Sequence, residues 1–279
     1  MKIKTKKRLG HIISSGIQKG GVGKTSSTCL NGAILSMMHG YKVLIVDCDT
    51  QGNSTFFLTR RSIYDYTGNT TLEAILDGNA DPYIIKVNDN IHILPSEDRL
   101  SDLEEFIFVD WRDTPGNQRK YEKFEHLYML KKILDPLREQ YDFIILDLPP
   151  NPGLMTRMGL VASDFAMILM SCDILCYEAV SRYLSILQGV QHNFNSNLRL
   201  LGIAPSIIDS RAGVDTGFLA KARSEYGEWV FDTVIQRKTK VKEFAALGIS
   251  SRTKAEREAL SQYEDLVKEM LERVNKFTK

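Results

Sequence analysis

A glycine-rich stretch near the start of the chain, GIQKGGVGKTSSTCL at residues 16–30, has the residue types that bind phosphate. Glycines let the backbone wrap phosphate oxygens with its N–H groups, and a helix N-terminus directed at them adds positive charge. Nucleotide-binding loops often read G-x-x-x-x-G-K-[ST], and this stretch has the same G-K-T at Gly23, Lys24 and Thr25. We therefore expect phosphate contacts from seven consecutive residues: Gly20, Gly21, Val22, Gly23, Lys24, Thr25 and Ser26.

Two side chains of this loop have expected chemical roles. Lys24 would pair with the β- and γ-phosphates of a nucleotide, and the hydroxyl of Thr25 would bind Mg²⁺. The loop also begins with a second lysine, Lys19. The general phosphate-loop spacing gives no reason for that lysine.

Carboxylates follow two apolar runs and are candidates for the metal shell. Asp147 ends the run FIILD, and Asp47 and Asp49 lie two residues apart in VLIVDCDTQGNST. Residues two apart on an extended chain share one face, so both carboxylates of the pair would approach the same cluster of metal and water. The residue types alone do not rank Asp47 against Asp49.

The elements that must position these residues are predicted from apolar runs of strand length that alternate with helix-length segments. This alternation predicts an α/β fold, a doubly wound and mostly parallel sheet with helices on both faces. The runs lie at residues 11–17, 42–48, 90–95, 142–148, 164–171, 200–208 and 229–235.

We expect a single domain over residues 1–279, in which two long helices cover residues 24–39 and 118–141. Residues 96–118 have no clear period and are predicted to be an excursion on the surface. An apolar stripe on residues 253–277 predicts a terminal helix docked on the sheet.

Composition limits the classes of partner and compartment. Lys+Arg number 36 against 35 Asp+Glu, for a formal net charge of +1, so affinity for a polyanion must come from local clusters. Such clusters occur in a basic arm at residues 1–10 and in the stretch QRKTKVK. The four cysteines and the absence of a leader or of a long apolar run suggest a reduced cytoplasmic protein without a membrane partner. The pair Cys172 and Cys176 has no nearby second pair to complete a metal site, so buried thiols are expected.

Three motifs together resemble the ParA family of partition ATPases: KGGVGKTSS, VDCDTQGNST and LDLPPNPGLMT. The resemblance implies a P-loop NTPase fold, ATP and Mg²⁺ as cofactors, and ATP hydrolysis. It also identifies Lys19 as the family's signature lysine, which reaches the phosphates of the partner subunit in an ATP-bound homodimer. By the same carry-over, Asp49 orients the attacking water, Asp47 stands on the metal side, and Asp147 is the Walker B acid.

The resemblance further implies non-specific binding to duplex DNA, association with the nucleoid and a centromere-binding partner of the ParB type. The DNA surface carried over from the family contains Arg211, Arg237 and Lys240. Residues 149–156 match the family's switch region. Gln236 stands where the family usually has proline, so the resemblance assigns no adenine contact there.

Two other functions share these motifs. A MinD-like ATPase that positions machinery on a membrane ends in a short basic amphipathic tail, whereas this chain has a mixed-charge segment at 253–277. A nucleotide-gated regulatory protein with negligible hydrolysis has the same site residues. Measured binding to liposomes and measured turnover distinguish these alternatives from a partition ATPase.

Overall fold

The computed structural model describes residues 9–108, 124–208 and 213–278, and its centre is one seven-stranded sheet. The strand order is β3-β4-β2-β5-β1-β6-β7, and every neighbouring pair is parallel except β3 with β4. The predicted fold class is confirmed. The strands are β1 His11–Gly16, β2 Val43–Asp47, β3 Ile85–Lys86, β4 Ile91–Leu94, β5 Phe143–Asp147, β6 Phe165–Met170 and β7 Arg199–Pro205.

Helices connect and cover these strands. They are α1 Lys24–His39, α2 Asn53–Thr59, α3 Thr71–Asp77, α4 Leu103–Phe108, α5 Met129–Leu134, α6 Leu154–Ala162, α7 Ile174–Asn193, α8 Gly213–Tyr226, α9 Thr239–Leu247 and α10 Lys254–Thr278. The chain runs from β1 to β2 in one direction along the sheet and from β5 through β6 to β7 in the other. Because crossovers between parallel strands are right-handed, α1 lies on one face and α6 and α7 on the opposite face.

Strand register brings the sequence motifs to one edge. Ser15 of β1 and Asp47 of β2 both align with Asp147 of β5, and β1 leads directly into the glycine-rich loop. In open α/β sheets, ligands bind beyond the carboxyl ends of the strands where the winding direction reverses. The three motifs therefore meet where this architecture places a ligand.

The predicted strand at residues 229–235 is wrong. Val230 makes an isolated parallel bridge to Ile203 of β7 and Gln236 makes one to Ile208, beyond the end of β7, but the residues between them form no strand. The amides of Asp232 and Thr233 donate to the carboxylate of Glu269 on α10, at 3.0 Å each. A side chain of α10 thus takes the place of a neighbouring strand for these two donors.

The predicted single helix over residues 118–141 is also wrong in its described part. Residues 125–128 are a 3₁₀ turn, α5 ends at Leu134, and a second 3₁₀ turn covers 135–139. Pro136 follows the end of α5 and has no N–H to continue the α-helical hydrogen bonds. Residues 118–123 lie outside the described ranges.

The described part of the predicted excursion at 96–118 is regular and packed against the core, which corrects that prediction. Residues 98–102 form a 3₁₀ helix that leads into α4. Leu100, Leu103 and Ile107 are buried in the main apolar cluster. The rest of this segment, from residue 109, lies outside the described ranges, as do residues 1–8 of the basic arm.

The terminal helix predicted at 253–277 is α10. Leu260, Tyr263, Leu266 and Met270 are among its buried residues, and α10 packs chiefly on α1. Buried apolar residues of the described chain form one continuous cluster. The four cysteines are free and buried, as expected.

Candidate nucleotide site

The glycine-rich loop between β1 and α1 has a backbone that requires glycine at two positions. Gly21 and Gly23 have φ angles of 77° and 79°, in the left-handed region that side chains disfavour. A Cβ on Gly23 would also lie 3.0 Å from Ile207 and 3.2 Å from the hydroxyl of Ser206. The helix that follows starts at Lys24 without a side-chain cap or an acid in its first turn. Its uncapped N-terminal amides suit an anionic ligand.

Lys24 points into the site and is held by a buried ion pair. Its Nζ lies 2.6 Å from Oδ1 of Asp147, and the two residues are 7% and 0% exposed. Burial by itself lowers the pKa of Lys24, but the Asp147 carboxylate, with Asp49 and Asp47 farther away, more than offsets this, so the pKa is raised. Lys24 therefore remains a cation inside the protein.

The other carboxylate oxygen of Asp147 accepts two hydroxyl hydrogen bonds. Thr25 donates to Oδ2 at 2.8 Å and Ser54 donates to the same oxygen at 2.7 Å. The thiol of Cys29 donates to the hydroxyl of Ser54 at 3.5 Å. Burial holds the pKa of Cys29 well above its ordinary value, so this thiol keeps its proton. Asp147 is consequently bonded to three side chains from two helices.

Asp47 has partners that tie α2 to the sheet. Its Oδ2 accepts from the amide and the hydroxyl of Thr55, both at 2.8 Å, and its Oδ1 accepts from the amide of Asp49 at 3.2 Å. Burial, with the nearby charge of Asp147, raises the pKa of Asp47 to about 7 against the opposing effect of these hydrogen bonds. Its predicted place beside the metal stays a prediction.

Asp49 lies just beyond β2 in the turn that begins α2. Its Oδ1 accepts from the amide of Gln51 at 3.1 Å, and the residue is 7% exposed. The turn needs Gly52, whose φ is 58° and whose Cβ would meet Ser96 O at 2.7 Å. Asp49 thus has a fixed backbone and one carboxylate oxygen without a hydrogen bond to a described residue.

Lys19 lies at the outer end of the loop and pairs with a different acid. Its Nζ contacts both oxygens of Asp173 at 2.5 Å, and the side chains are 27% and 41% exposed. Asp173 also caps α7 by accepting from the amide of Cys176 at 3.0 Å. The Lys19 contact lowers the pKa of Asp173 although partial burial acts in the opposite direction. The two lysines of the loop therefore have separate carboxylate partners.

The structure brings together the predicted phosphate and metal residues, whereas the DNA-binding roles of Arg211, Arg237 and Lys240 stay predictions. Arg211 lies outside the described ranges. Arg237 is exposed and follows the bridge at Gln236. Lys240 lies in the first turn of α9 and forms an ion pair with Glu243, an acid of the same helix that the basic stretch QRKTKVK does not include.

Sequence reasoning missed Ser54 and Asp173, which complete these contacts. Ser54 is buried in the first turn of α2, and Asp173 follows β6 at the start of α7. For Asp173, a carboxylate after a buried strand was an available signal, the same one that identified Asp47 and Asp147. For Ser54, the available signal was its place within the motif QGNST.

The donor set fits Mg²⁺ that arrives with a nucleotide. Within residues 9–108, 124–208 and 213–278, no cluster of three His, Cys, Asp or Glu side chains can hold a metal ion by itself. Mg²⁺ prefers hard oxygen ligands and usually takes one or two protein oxygens together with phosphates and water. The Thr25 hydroxyl and the Asp147 carboxylate, next to the phosphate loop, supply such oxygens.

No helix in the described ranges is long and apolar enough to cross a membrane.

Comparison with known proteins agrees with this geometry. The model of the AAA domain family matches residues 10–200. The sporulation initiation inhibitor protein Soj of Bacillus subtilis (strain 168) is 30% identical, with 86% of this chain and 89% of that protein covered. The chromosome-partitioning ATPase Soj of Treponema pallidum (strain Nichols) is 32% identical, with 92% and 95% covered.

Among solved structures, cobyrinic acid a,c-diamide synthase of Mycobacterium smegmatis with bound ATP analogue and magnesium is 25% identical, has a TM-score of 0.78 and covers 94% of each chain. A plasmid partition protein of Borrelia burgdorferi B31 bound to AMPPNP has a TM-score of 0.76 at 21% identity, with 94% of this chain and 99% of that chain covered, and shows the shared fold. The phosphate loop, the three strand-end carboxylates and these relatives together show that the chain is an ATPase and belongs to the ParA family of partition ATPases.

Proposed function

We propose that this chain is a DNA-segregation ATPase in which Mg·ATP drives homodimerisation and non-specific DNA binding. A ParB-type centromere-binding partner stimulates the hydrolysis that ends this state. The observation that carries the proposal is the division of the loop's two lysines between a buried pair, Lys24–Asp147, and an exposed pair, Lys19–Asp173. In this proposal, Lys24 serves the site of its own subunit and Lys19 serves that of a second subunit.

Within one subunit, Lys24 and Thr25 exchange Asp147 for the ligand. Lys24 binds the β- and γ-phosphates, and the Thr25 hydroxyl, with Asp147 and Asp47, stands on the metal side. The backbone amides of the loop from Gly20 to Ser26 surround the phosphates. Bound Mg²⁺ supplies the charge that neutralises the phosphates during transfer to water.

Asp49 is the residue that we assign to the attacking water. Its backbone is fixed by the turn at Gly52, and it lies beyond the carboxyl end of β2 on the same edge as the loop. A carboxylate with an oxygen free for a water molecule can orient that water and accept its proton. Replacement of Asp49 therefore slows cleavage and leaves phosphate contacts in place.

Lys19 couples nucleotide binding to dimerisation. Its ion pair with Asp173 is partly exposed, and pairs of this kind contribute about 1 kcal/mol or less. A triphosphate on a second subunit carries more negative charge than one carboxylate and gives Lys19 a stronger partner. Exchange of partners is thus favourable when ATP is present.

The DNA surface contains Arg237 and Lys240, together with Arg211. Arg237 is exposed, and the Lys240 side chain is 34% exposed beside Glu243. A dimer has two sets of these cations and neutralises twice as many phosphates as one subunit. The dimer should therefore bind DNA more tightly than the monomer and with a steeper dependence on salt. The nearly balanced net charge of +1 makes a local surface necessary for this activity.

The first experiment measures nucleotide-dependent dimerisation by analytical ultracentrifugation for the parent and for Lys19→Ala. The parent should dimerise with ATP and Mg²⁺ but not with ADP. Lys19→Ala should still bind ATP as a monomer and fail to dimerise. An ATP dimer of Lys19→Ala as stable as that of the parent would contradict the assigned role.

The second experiment measures binding to unrelated duplexes over a salt series with ATP, with ADP and without nucleotide. Arg237→Ala and Lys240→Ala should weaken binding to every sequence, with the salt slope reduced by about 0.9 for each lost phosphate contact. ATP turnover without DNA should not change. Equal binding by parent and variants would place the DNA surface elsewhere, and binding to anionic liposomes instead of DNA would favour a MinD-like function.

A further inference from the structure

The hydroxyl of Ser54 makes a contact with Asp147 that does not come from the phosphate loop. Ser54 is fully buried on α2, and its Oγ donates to Oδ2 of Asp147 at 2.7 Å. The Cys29 thiol donates to the same Oγ at 3.5 Å. A hydroxyl has one proton to donate. Because the Cys29 thiol on α1 donates to the Ser54 Oγ, the proton of Ser54 itself is directed to the Asp147 carboxylate.

The backbone that carries Ser54 is fixed independently of the ligand. Its neighbour Thr55 is bound through its amide and its hydroxyl to Asp47 on β2. The Thr55 hydroxyl also accepts from the amide of Ser96 at 2.9 Å. Ser54 is therefore a donor on a rigid support, whereas Lys24 and Thr25 belong to the element that binds phosphate.

The three donors to Asp147 differ in what nucleotide binding does to them. On the proposed function, Lys24 turns to the phosphates and Thr25 turns to the metal, so both contacts with Asp147 are given up. The Ser54 hydroxyl is assigned neither to the phosphates nor to the metal, so its donation to Asp147 is kept. A carboxylate that lost its donors while buried would carry the cost of an unpaired charge.

We propose that Ser54 is a positioning residue of the magnesium site: it holds the Asp147 carboxylate in place when Mg·ATP takes Lys24 and Thr25 away. The inference rests on the proposed use of Mg²⁺ by this site. It assigns to a residue outside the phosphate loop the task of keeping Asp147 aligned toward the metal's water shell. Cys29 supports this role indirectly, because the hydrogen bond from its thiol fixes the direction of the Ser54 proton.

A role in packing alone gives a different result from this role. If Ser54 only stabilised the fold, its removal would weaken binding of nucleotide with and without Mg²⁺ to the same extent. If Ser54 positions Asp147 for the metal, the loss appears mainly when Mg²⁺ is present. The ratio of the two dissociation constants therefore separates the two roles.

The test measures the dissociation constant of a fluorescent ATP analogue in Mg²⁺ and in EDTA, for the parent, Ser54→Ala and Thr59→Val. Ser54→Ala should reduce the preference for Mg²⁺ by about tenfold, the effect of losing one hydrogen bond to a charged group. Thr59 is the matched control, because its hydroxyl lies on the same helix and bonds to the backbone oxygen of Thr55 at 2.7 Å. Thr59→Val should keep the parent's ratio.

Ser54→Cys provides a second variant, in which the side chain is slightly larger and keeps a weaker donor. It should give a ratio between those of the parent and Ser54→Ala. A parent that prefers Mg²⁺ while Ser54→Ala and Ser54→Cys keep its ratio overturns the inference and leaves the proposed function standing. A parent that binds equally in Mg²⁺ and EDTA overturns the proposed magnesium site, and the inference with it.

Discussion

Replacement of Lys24 should destabilise the fold even when no nucleotide is present. Lys24 is 7% exposed and its partner Asp147 is fully buried, so Lys24→Met leaves a carboxylate without its cation. Breaking a buried ion pair from one side costs about 3–5 kcal/mol. Because Thr25 and Ser54 still donate to Asp147, we expect a loss near the lower end, about 3 kcal/mol.

The assay is urea unfolding of the parent, of Lys24→Met, of Asp147→Asn and of the double variant, without nucleotide and in EDTA. The double variant should be less destabilised than the sum of the single variants, because neither partner is then left as an unpaired charge.

Equal stability of Lys24→Met and the parent would refute this reasoning. So would additive losses in the double variant, because the ion pair would then contribute nothing beyond its separate members. Either outcome would mean that loss of nucleotide binding in a Lys24 variant reports phosphate contact alone. If the expected loss of stability is found, nucleotide binding by a Lys24 variant must be compared with that of the parent at the same folded fraction.

Gly16→Ala should lower the free energy of unfolding by about 1–3 kcal/mol because its Cβ would lie 2.0 Å from the buried hydroxyl of Tyr183, whereas Gly189→Ala, inside α7 with no atom within 4 Å of the new Cβ, should raise it by about 0.5–1 kcal/mol. Urea unfolding of both variants checks these opposite signs. Burial and the charge of Asp147 raise the pKa of Asp47 to about 7, so the parent should lose up to about 1.4 kcal/mol per pH unit between about pH 4 and pH 7 from this group. The stability of Asp47→Asn minus that of the parent should therefore increase with pH, and a difference independent of pH would contradict the raised pKa. Asp49→Ala should bind Mg·ATP and keep the ATP dimer for many turnover times of the parent. Size-exclusion chromatography at intervals after ATP addition measures this lifetime, and a dimer that decays as fast as the parent's would contradict the role of Asp49.

The phosphate loop and the strand-end carboxylates could be predicted from the sequence because strong local patterns fix them. A glycine pattern after a buried strand specifies a loop and a helix, and apolar runs specify where neighbouring strands end. Lys24 and Asp147 are 123 positions apart, yet both lie at the ends of recognisable elements. Parallel pairing of β1 with β5 then brings them into contact.

The missed features depend on side chains that replace regular backbone pairing. Residues 229–235 are as apolar as the true strands, but Glu269 accepts two of their amides, and an apolar run does not reveal a competitor on a distant helix. The sequence does contain a signal for the end of α5, because Pro136 cannot continue the α-helical hydrogen bonds. In the structure this effect is stronger than the helical period around it. Ser54 and Asp147 are 93 positions apart, and the packing of α2 against the sheet brings them into contact, which no local pattern of the sequence reveals.

The two lysines of the loop differ in burial rather than in the length of their ion pairs. Lys24 and Lys19 both pair with an acid of their own chain, at 2.6 Å and 2.5 Å, so distance does not distinguish them. The Lys24 pair is almost without solvent, where an unpaired charge is expensive, and it can open only when another anion enters the same space. The Lys19 pair is about a third exposed, where water screens either charge and separation costs little. On the proposed function, this difference commits Lys24 to the site of its own subunit and lets Lys19 respond to a second one.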